Sequence, residues 1–166
     1  VLSTFEQGEG TLISFVDDSM EQAVLSGIAF DRNQAKFTLL GVPNIPGITG
    51  DILSVISSQH IDVDMIVQNI PNDQDQFDFS FTVQRDDYQA VHDLLQSAQK
   101  KLGGNGIVSD ANIAKLSLVG VGMRSHAGVA TTMFATLGKE AIHIQMVSTS
   151  QIKISVIIDE KYLELG

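Results

Sequence analysis

The spacing between apolar residues changes several times along this chain, and each spacing predicts a strand or a helix. Residues 36–42 alternate between apolar and polar side chains, as a strand with one buried face does. Across residues 48–56 the apolar side chains instead recur every three or four positions, which predicts a helix. Residues 62–70 alternate again, and residues 77–83 place three phenylalanines on one face of another strand.

A second helix and a fourth strand complete this first series of elements. Asp86 is predicted to cap a helix that continues to residue 102, where Gly103 and Gly104 end it. Residues 106–112 then predict a strand. The resulting order, βαββαβ, is that of a ferredoxin-like unit, in which an antiparallel sheet carries its helices on one face.

The remainder of the chain follows the same order but leaves it incomplete. A strand beginning at Ala114 precedes a helix at 125–137, strands at 142–150 and 151–158, and the start of a helix at 160–165. The last strand of this second unit is missing. An isolated strand at 23–30, closed by a turn at 31–33, can fill the vacancy.

The sequence therefore predicts an α+β fold of two ferredoxin-like units, the first inserted into the second. The first unit comprises residues 35–112, and the second comprises 22–34 together with 113–166. In this interpretation the N-terminal segment supplies the strand that the second unit lacks.

An internal repeat supports two related units. Residues 41–68 and 122–149 align without a gap at a constant offset of 81 residues. The identical pairs are Gly41 and Gly122, Gly47 and Gly128, Ile61 and Ile142, and Met65 and Met146. Because the apolar residues of the two copies also fall in phase, we interpret the repeat as an internal duplication.

Each copy carries a glycine, Gly47 or Gly128, between a predicted strand and a predicted helix. The first N–H groups of a helix have no partner within it and carry the positive end of its dipole. Because glycine lacks a Cβ, a ligand can approach the backbone there, and the carboxylate of a small metabolite suits such a place. The alternative is that both glycines serve only their turns.

Composition and charge argue against several other functions. The chain has 166 residues, of which 43% are hydrophobic and 18% charged, as in a globular protein. Its net charge of −10 repels phosphate backbones, so no nucleic-acid partner is expected. No apolar run approaches the roughly 18 residues that span a bilayer, so no membrane association is expected. The absence of cysteine is compatible with a cytoplasmic location.

No catalytic residue and no metal site are predicted. His126 and His143 lack metal-ligand spacing, and Ser125 before His126 does not indicate a catalytic triad, because no third member can be placed. Asp73, Asp75 and Asp78 resemble part of a calcium loop, but the glycine and the closing glutamate of that motif are missing. We interpret them as a solvated hairpin.

Two segments resemble a known family. Residues 36–69, with the motifs GVPNIPGITG and DMIVQN, and residues 115–159, with GMRSHAGVA and STSQIKISV, are similar to the tandem ACT domains of bacterial aspartokinase. More narrowly, they resemble the regulatory region that some bacteria also make as a separate subunit. The resemblance covers about residues 22–166, and it implies that residues 1–21 are a linker from a kinase domain.

The resemblance also implies a function and its partners. The expected role is feedback inhibition of aspartate phosphorylation by threonine and/or lysine, which are end products of the aspartate-family pathway. A homodimer formed through the ACT domains is expected, together with a kinase domain or a catalytic subunit of aspartokinase. No cofactor is expected in this fragment, because ATP and Mg would belong to the kinase domain. Without that domain the fragment is expected to be inactive.

Two effector sites follow from the resemblance. The first would comprise Val42, Asn44, Pro46, Gly47, Ile48, Thr49 and Gln68, closed by His143 and Ile144 of a second copy. Backbone amides near Gly47 would hold the effector carboxylate, and the carbonyl oxygens of Asn44 and Gln68 would face its ammonium group. The second would comprise Met123, Ser125, His126, Gly128, Val129 and Ser150. Asn44 and His143 depart from the family pattern, where an acidic residue and an asparagine are common.

Several alternatives remain open at this point. The chain could be a structural dimerisation module without a ligand, or a small-molecule-binding domain of another enzyme on the same ferredoxin-like fold. A nucleic-acid-binding module would require a basic surface, which the net charge of −10 opposes. A small acyl-phosphate hydrolase would require an arginine in its first turn, whereas Arg124 lies in the second.

Overall fold

The structure is a computed structural model that describes residues 25–120 and 128–164. Its strands are β1 (Gly27–Pro43), β2 (Ile66–Gln68), β3 (Gln76–Val83), β4 (Gly106–Val119), β5 (Met146–Thr149) and β6 (Lys153–Asp159). Its α-helices are α1 (Ile48–Ser57), α2 (Tyr88–Leu102) and α3 (Val129–Lys139), and short 3-10 helices lie at Arg85–Asp87 and Glu160–Glu164.

The strands form one antiparallel sheet in the order β2-β3-β1-β4-β6-β5. The long central strands β1 and β4 pair from Gly27 opposite Val119 to Leu40 opposite Gly106. β3 flanks the C-terminal part of β1, and β6 flanks the C-terminal part of β4. The predicted α+β fold with an antiparallel sheet is confirmed.

β1 is a single strand where the sequence predicts two strands separated by a turn at 31–33. The Asp31 carboxylate accepts hydrogen bonds from the backbone N–H of Asn33 (2.9 Å) and from the side chain of Gln34 (2.8 Å). The register with β4 shifts at this place. The predicted turn is wrong because β4 pairs with β1 on both sides of it, so the polar residues form a bulge instead of reversing the chain.

β4 is likewise one strand, although the sequence predicts one strand at 106–112 and another beginning at Ala114. Its whole length pairs with β1, which keeps it extended. Residues 27–31 of β1 pair with residues 115–119 of β4, as a donated strand would require. The division into a linker at 1–21, a first unit at 35–112 and a second unit at 22–34 with 113–166 stays a prediction.

Aromatic residues form the core of the first unit. Phe77, Phe79 and Phe81 are buried, as their alternation predicts. Phe37 of β1 stacks on Phe81 with ring centroids 5.7 Å apart. Fully burying such a side chain stabilises a fold by roughly 1.5–3 kcal/mol. The two helices of this unit cover the aromatic layer with Ile52 and Ile56 of α1 and Val91, Leu95 and Leu102 of α2.

The second unit has a smaller core beneath α3. Met133 and Leu137 of that helix pack with Leu118 of β4 and with Ile154 and Val156 of β6. The predicted helix at 125–137 begins at residue 129 in the described chain, and residues 125–127 lie outside the described residues. Its apolar spacing is confirmed by the two buried side chains that it places against the sheet.

The edge strands are shorter than their alternation predicts. β2 comprises three residues of the predicted 62–70, and β5 comprises four of the predicted 142–150. Backbone bonds extend the pairing slightly, because Asp64 N–H donates to the Thr82 carbonyl (3.0 Å) and Gln145 N–H donates to the Ile157 carbonyl (2.8 Å). Alternating apolar and polar residues indicate an extended segment with one buried face. The pattern does not show where strand pairing ends and a loop begins.

Of two smaller predictions at element ends, the cap of α2 is wrong and the start of a helix at residue 160 is confirmed. Asp86 does not cap α2, because residue 87 occupies the N-cap position and no side-chain capping bond forms. The Asp86 carboxylate instead accepts the side-chain amide of Asn33 at 3.2 Å, beside the bulge in β1. The last predicted helix is a 3-10 helix at Glu160–Glu164 in the described chain.

A third apolar cluster lies on the side of the sheet opposite the helices. It contains Met65, Ile113, Met146 and Ile157, all of them buried. Because Met65 and Ile113 fall in the predicted first and second units respectively, this cluster joins the two units. In the part of the chain that the structure describes, no helix is long and apolar enough to cross a membrane.

Candidate functional site

The glycine-containing turns have the same geometry in both copies of the repeat. Gly47 and Gly128 occupy the N-cap positions of α1 and α3 with left-handed φ values of 95° and 118°. His60 and Ala141, which are also 81 residues apart, have left-handed φ values of 58° and 55°. Non-glycine residues rarely adopt this conformation. Its recurrence at equivalent places supports the predicted duplication.

The turn before α1 leaves backbone donors available. The Ile48 N–H donates to the Ile45 carbonyl at 3.1 Å, and Asp51 N–H is the first to bond back to the Gly47 carbonyl, at 3.0 Å. The amides of Gly47 and Thr49 find no acceptor among the described residues. A Cβ built on Gly47 would meet no atom within 4 Å, so the space beside the turn is open.

Two predicted site residues meet at the start of α1. The Thr49 hydroxyl donates to the side-chain oxygen of Gln68 at 3.2 Å, which links the first turn of α1 to the end of β2. Gln68 is exposed and Thr49 is half-buried. The donors of the turn and the Gln68 carbonyl therefore lie on one small surface, as the first-site prediction requires.

Asn44 lies beside an acidic residue that the site prediction does not include. Its backbone N–H donates to the Asp75 carbonyl and its side-chain amide to the Asp75 carboxylate, both at 2.9 Å. Asp75 itself has a left-handed φ of 55°. No local pattern indicates this contact, because it joins residues that are 31 positions apart. The carboxylate is therefore a negative charge fixed next to the first turn.

The other first-site residues differ in exposure and position. Val42 is fully buried, Ile48 is half-buried, and Pro46 is exposed. His143 is exposed and Ile144 is half-buried, in the segment before β5. β2 and β5 are the two outer strands of the sheet, and no described hydrogen bond or ion pair joins His143 or Ile144 to the turn before α1.

The second predicted site is described only in part. Met123, Ser125 and His126 lie outside the described residues. Gly128 forms the N-cap of α3, and Val129 packs at the edge of the core of the second unit. Ser150 closes the turn between β5 and β6, where its N–H donates to the Lys153 carbonyl at 2.7 Å.

The described residues contain no group of three histidine, aspartate or glutamate side chains that could hold a metal ion. The groups of the first turn are suited to binding a small polar ligand. Amide donors, a threonine hydroxyl, neutral carbonyl oxygens and one carboxylate can recognise a small zwitterion whose carboxylate and ammonium groups are attached to the same carbon.

The family model of the ACT domain matches residues 116–166. The chain is 55% identical over 167 residues to the aspartate kinase of Pseudomonas fluorescens (strain SBW25), covering 100% of this chain and 40% of that protein. It thus spans about two-fifths of the length of the curated relatives it matches.

Solved structures of separate regulatory subunits match over most of their length. A crystal structure of aspartokinase alpha and beta subunits has 50% sequence identity and a TM-score of 0.80, covering 85% of this chain and 92% of that one. The ligand-free regulatory subunit of aspartate kinase from Thermus thermophilus has 34% identity and a TM-score of 0.80, covering 86% and 93%. The chain belongs to the ACT-domain regulatory region of the aspartokinase family.

Proposed function

We propose that this chain binds threonine and/or lysine between ACT domains and thereby mediates feedback inhibition of aspartate kinase. Its partners in this role are a second copy of the chain and a kinase domain or catalytic subunit, which would supply ATP and Mg chemistry. Such biosynthetic control would take place in the cytoplasm. The observation that carries the proposal is the open turn before α1, together with its repeat-related counterpart before α3.

The first turn suits the carboxylate end of an amino acid. The unpartnered amides of Gly47 and Thr49 and the positive end of the α1 dipole attract an anion without a basic side chain. Each hydrogen bond to a charged group contributes about 1.5–3 kcal/mol, and ordering the ligand offsets part of this. We therefore expect a Kd between about 1 μM and 1 mM.

Hydrogen-bond acceptors near the turn would bind the ammonium group of the amino acid. Gln68 presents a carbonyl oxygen, and the Asp75 carboxylate stands beside Asn44. His143 and Ile144 of a second copy would close the pocket, which makes dimerisation and binding mutually dependent. A structure of E. coli aspartokinase III contains lysine and aspartate; at 20% identity this comparison supports a common fold and no ligand for this chain.

Replacing Gly47 by aspartate tests the first pocket. The carboxylate introduced by Gly47→Asp would occupy the place of the ligand's own carboxylate, so threonine affinity should fall at least about tenfold, or about 1.4 kcal/mol. Gly47→Ala has the same left-handed backbone strain without the charge, and Gly138→Asp adds the same charge on α3 at a position with open space. Isothermal titration calorimetry measures all three variants.

Retained affinity in Gly47→Asp would reject the pocket assignment. Thermal melts of the unmodified chain against the twenty amino acids address the function itself, since a ligand that binds the native state raises the midpoint. A stable dimer whose midpoint responds to none of them would be a structural dimerisation module. A response to other metabolites only would indicate the regulatory domain of a different ligand class.

A further inference from the structure

Two lysine side chains, one from each predicted unit, each contact a residue of the opposite unit. Lys36 of the first unit donates a hydrogen bond to the side-chain oxygen of Gln145 in the second. Lys115 of the second unit pairs with the carboxylate of Asp64 in the first. Asp64 and Gln145 are 81 residues apart, so they are the same position in the two copies of the repeat. We call these two contacts the lysine bridges.

Each acceptor of a bridge is also fixed within its own unit. The backbone N–H of Asp64 bonds to β3, and that of Gln145 bonds to β6. The side-chain amide nitrogen of Gln145 donates to the Asp159 carboxylate at 2.7 Å, so both ends of that amide are held. The bridges therefore connect ordered strand ends, and they are not contacts between free surface chains.

The bridges lie next to residues of the candidate effector site. Asp64 shortly precedes β2, whose last residue is Gln68. Gln145 directly follows Ile144, which would close the pocket of another copy. A ligand that moves either segment also changes a bridge to the opposite unit.

Partial burial limits the access of solvent to both lysines of the bridges. The side chain of Lys115 is 16% exposed and that of Asp64 is 37% exposed, so solvent screens their attraction only partly. Beneath them lies the apolar cluster of Met65, Ile113, Met146 and Ile157. Unbranched methionine side chains adapt to small rearrangements, so this cluster tolerates a slight rotation that the directional polar contacts resist.

We propose that Lys36 and Lys115 are positioning residues that set the orientation of one unit against the other and couple the two effector sites. This inference rests on the proposed function for its effectors. Binding at one site shifts the strand end that holds a bridge, and the bridge passes the shift to the other unit. Coupling of this kind acts in both directions with equal strength.

Amide hydrogen exchange of the ligand-free, 166-residue chain tests the positioning role without any effector. In Lys115→Gln the Asp64 amide should exchange faster, and so should the Gln145 amide in the other unit, because both bridges fix the same orientation. Lys153→Gln, at an exposed position of β6, is the matched control and should leave both amides unchanged. Faster exchange at Asp64 alone, or at neither amide, would overturn the proposal.

Calorimetric titrations test the coupling itself. In the unmodified chain, saturating lysine should change the threonine Kd by about fivefold or more. In Lys115→Gln that factor should fall to about one, while each affinity measured alone stays within about twofold. Exchanging the charges with Asp64→Lys and Lys115→Asp should restore the coupling.

Each result decides between the hypotheses. Coupling that persists in Lys115→Gln, or that is absent from the unmodified chain although both ligands bind, overturns the proposed coupling. If neither amino acid binds, the proposed function fails, and the exchange experiment still decides whether the bridges position the units.

Discussion

Single residues in this chain carry conformations and charges that their neighbours in sequence do not reveal. The glycine turns follow from the repeat, since Gly47 and Gly128 align at the same offset as the rest of it. The left-handed backbone at His60 and Ala141 could not be predicted, because alanine rarely adopts it and the two residues are not identical. Asp75 was missed for a different reason, because its bonds to Asn44 depend on how two segments distant in sequence meet.

The half-buried amine of Lys36 makes stability depend on pH in the alkaline range. Burial lowers the pKa of Lys36 below its usual 10.5, and the neighbouring Asp110 and Asp159 partly oppose that shift. A lysine whose pKa is depressed on folding destabilises the fold while it is charged. Its penalty is present below the folded pKa and is lost as the pH rises from that value to 10.5.

Urea unfolding of Lys36→Met between about pH 7 and pH 10.5 measures this effect. The unfolding free energy of the variant, relative to the unmodified chain, should decrease as the pH rises, because only the unmodified chain sheds the penalty. Lys100→Met, at an exposed position of α2, corrects for the loss of a surface amine. Identical pH profiles for the two variants would contradict the assignment.

At the scale of elements, periodicity identifies the helices and most strands but not where a strand ends. The apolar spacing of α1 and the alternation of β3 are intrinsic to each segment, so both could be predicted from the sequence. The continuity of β1 and β4 could not, because it depends on mutual pairing across a bulge. The polar residues from Asp31 to Asn33 predict a turn, but pairing with β4 keeps β1 extended there.

A pair of isoleucine truncations tests the assigned core of the first unit. Ile52 of α1 is fully buried, so Ile52→Ala should lower the free energy of unfolding by about 2–5 kcal/mol through lost burial and a cavity. Ile70, in the loop after β2, is 89% exposed, so Ile70→Ala should change the free energy of unfolding by no more than about 0.5 kcal/mol. Denaturant titrations compare them, and equal effects would mean that α1 does not pack as described.

At the scale of the molecule, the repeat and the order of elements predict two related units, and the family resemblance predicts the type of region. How the units contact each other could not be predicted. The cluster of Met65 and Met146 and the lysine bridges join side chains from opposite units, and no pattern within either copy indicates them. Arg85 adds a further contact of this kind, since it pairs with Glu160 at 3.0 Å and donates to the Ile113 carbonyl at 3.1 Å.

The two long central strands have a consequence for how such a region can move. Because β1 and β4 run without interruption through both units, the units cannot swing apart on a flexible connector. A hinge would have to break the ladder that both of them share. A rotation of one unit must therefore twist this shared pair of strands, which would carry the rotation to the other unit alongside the lysine bridges.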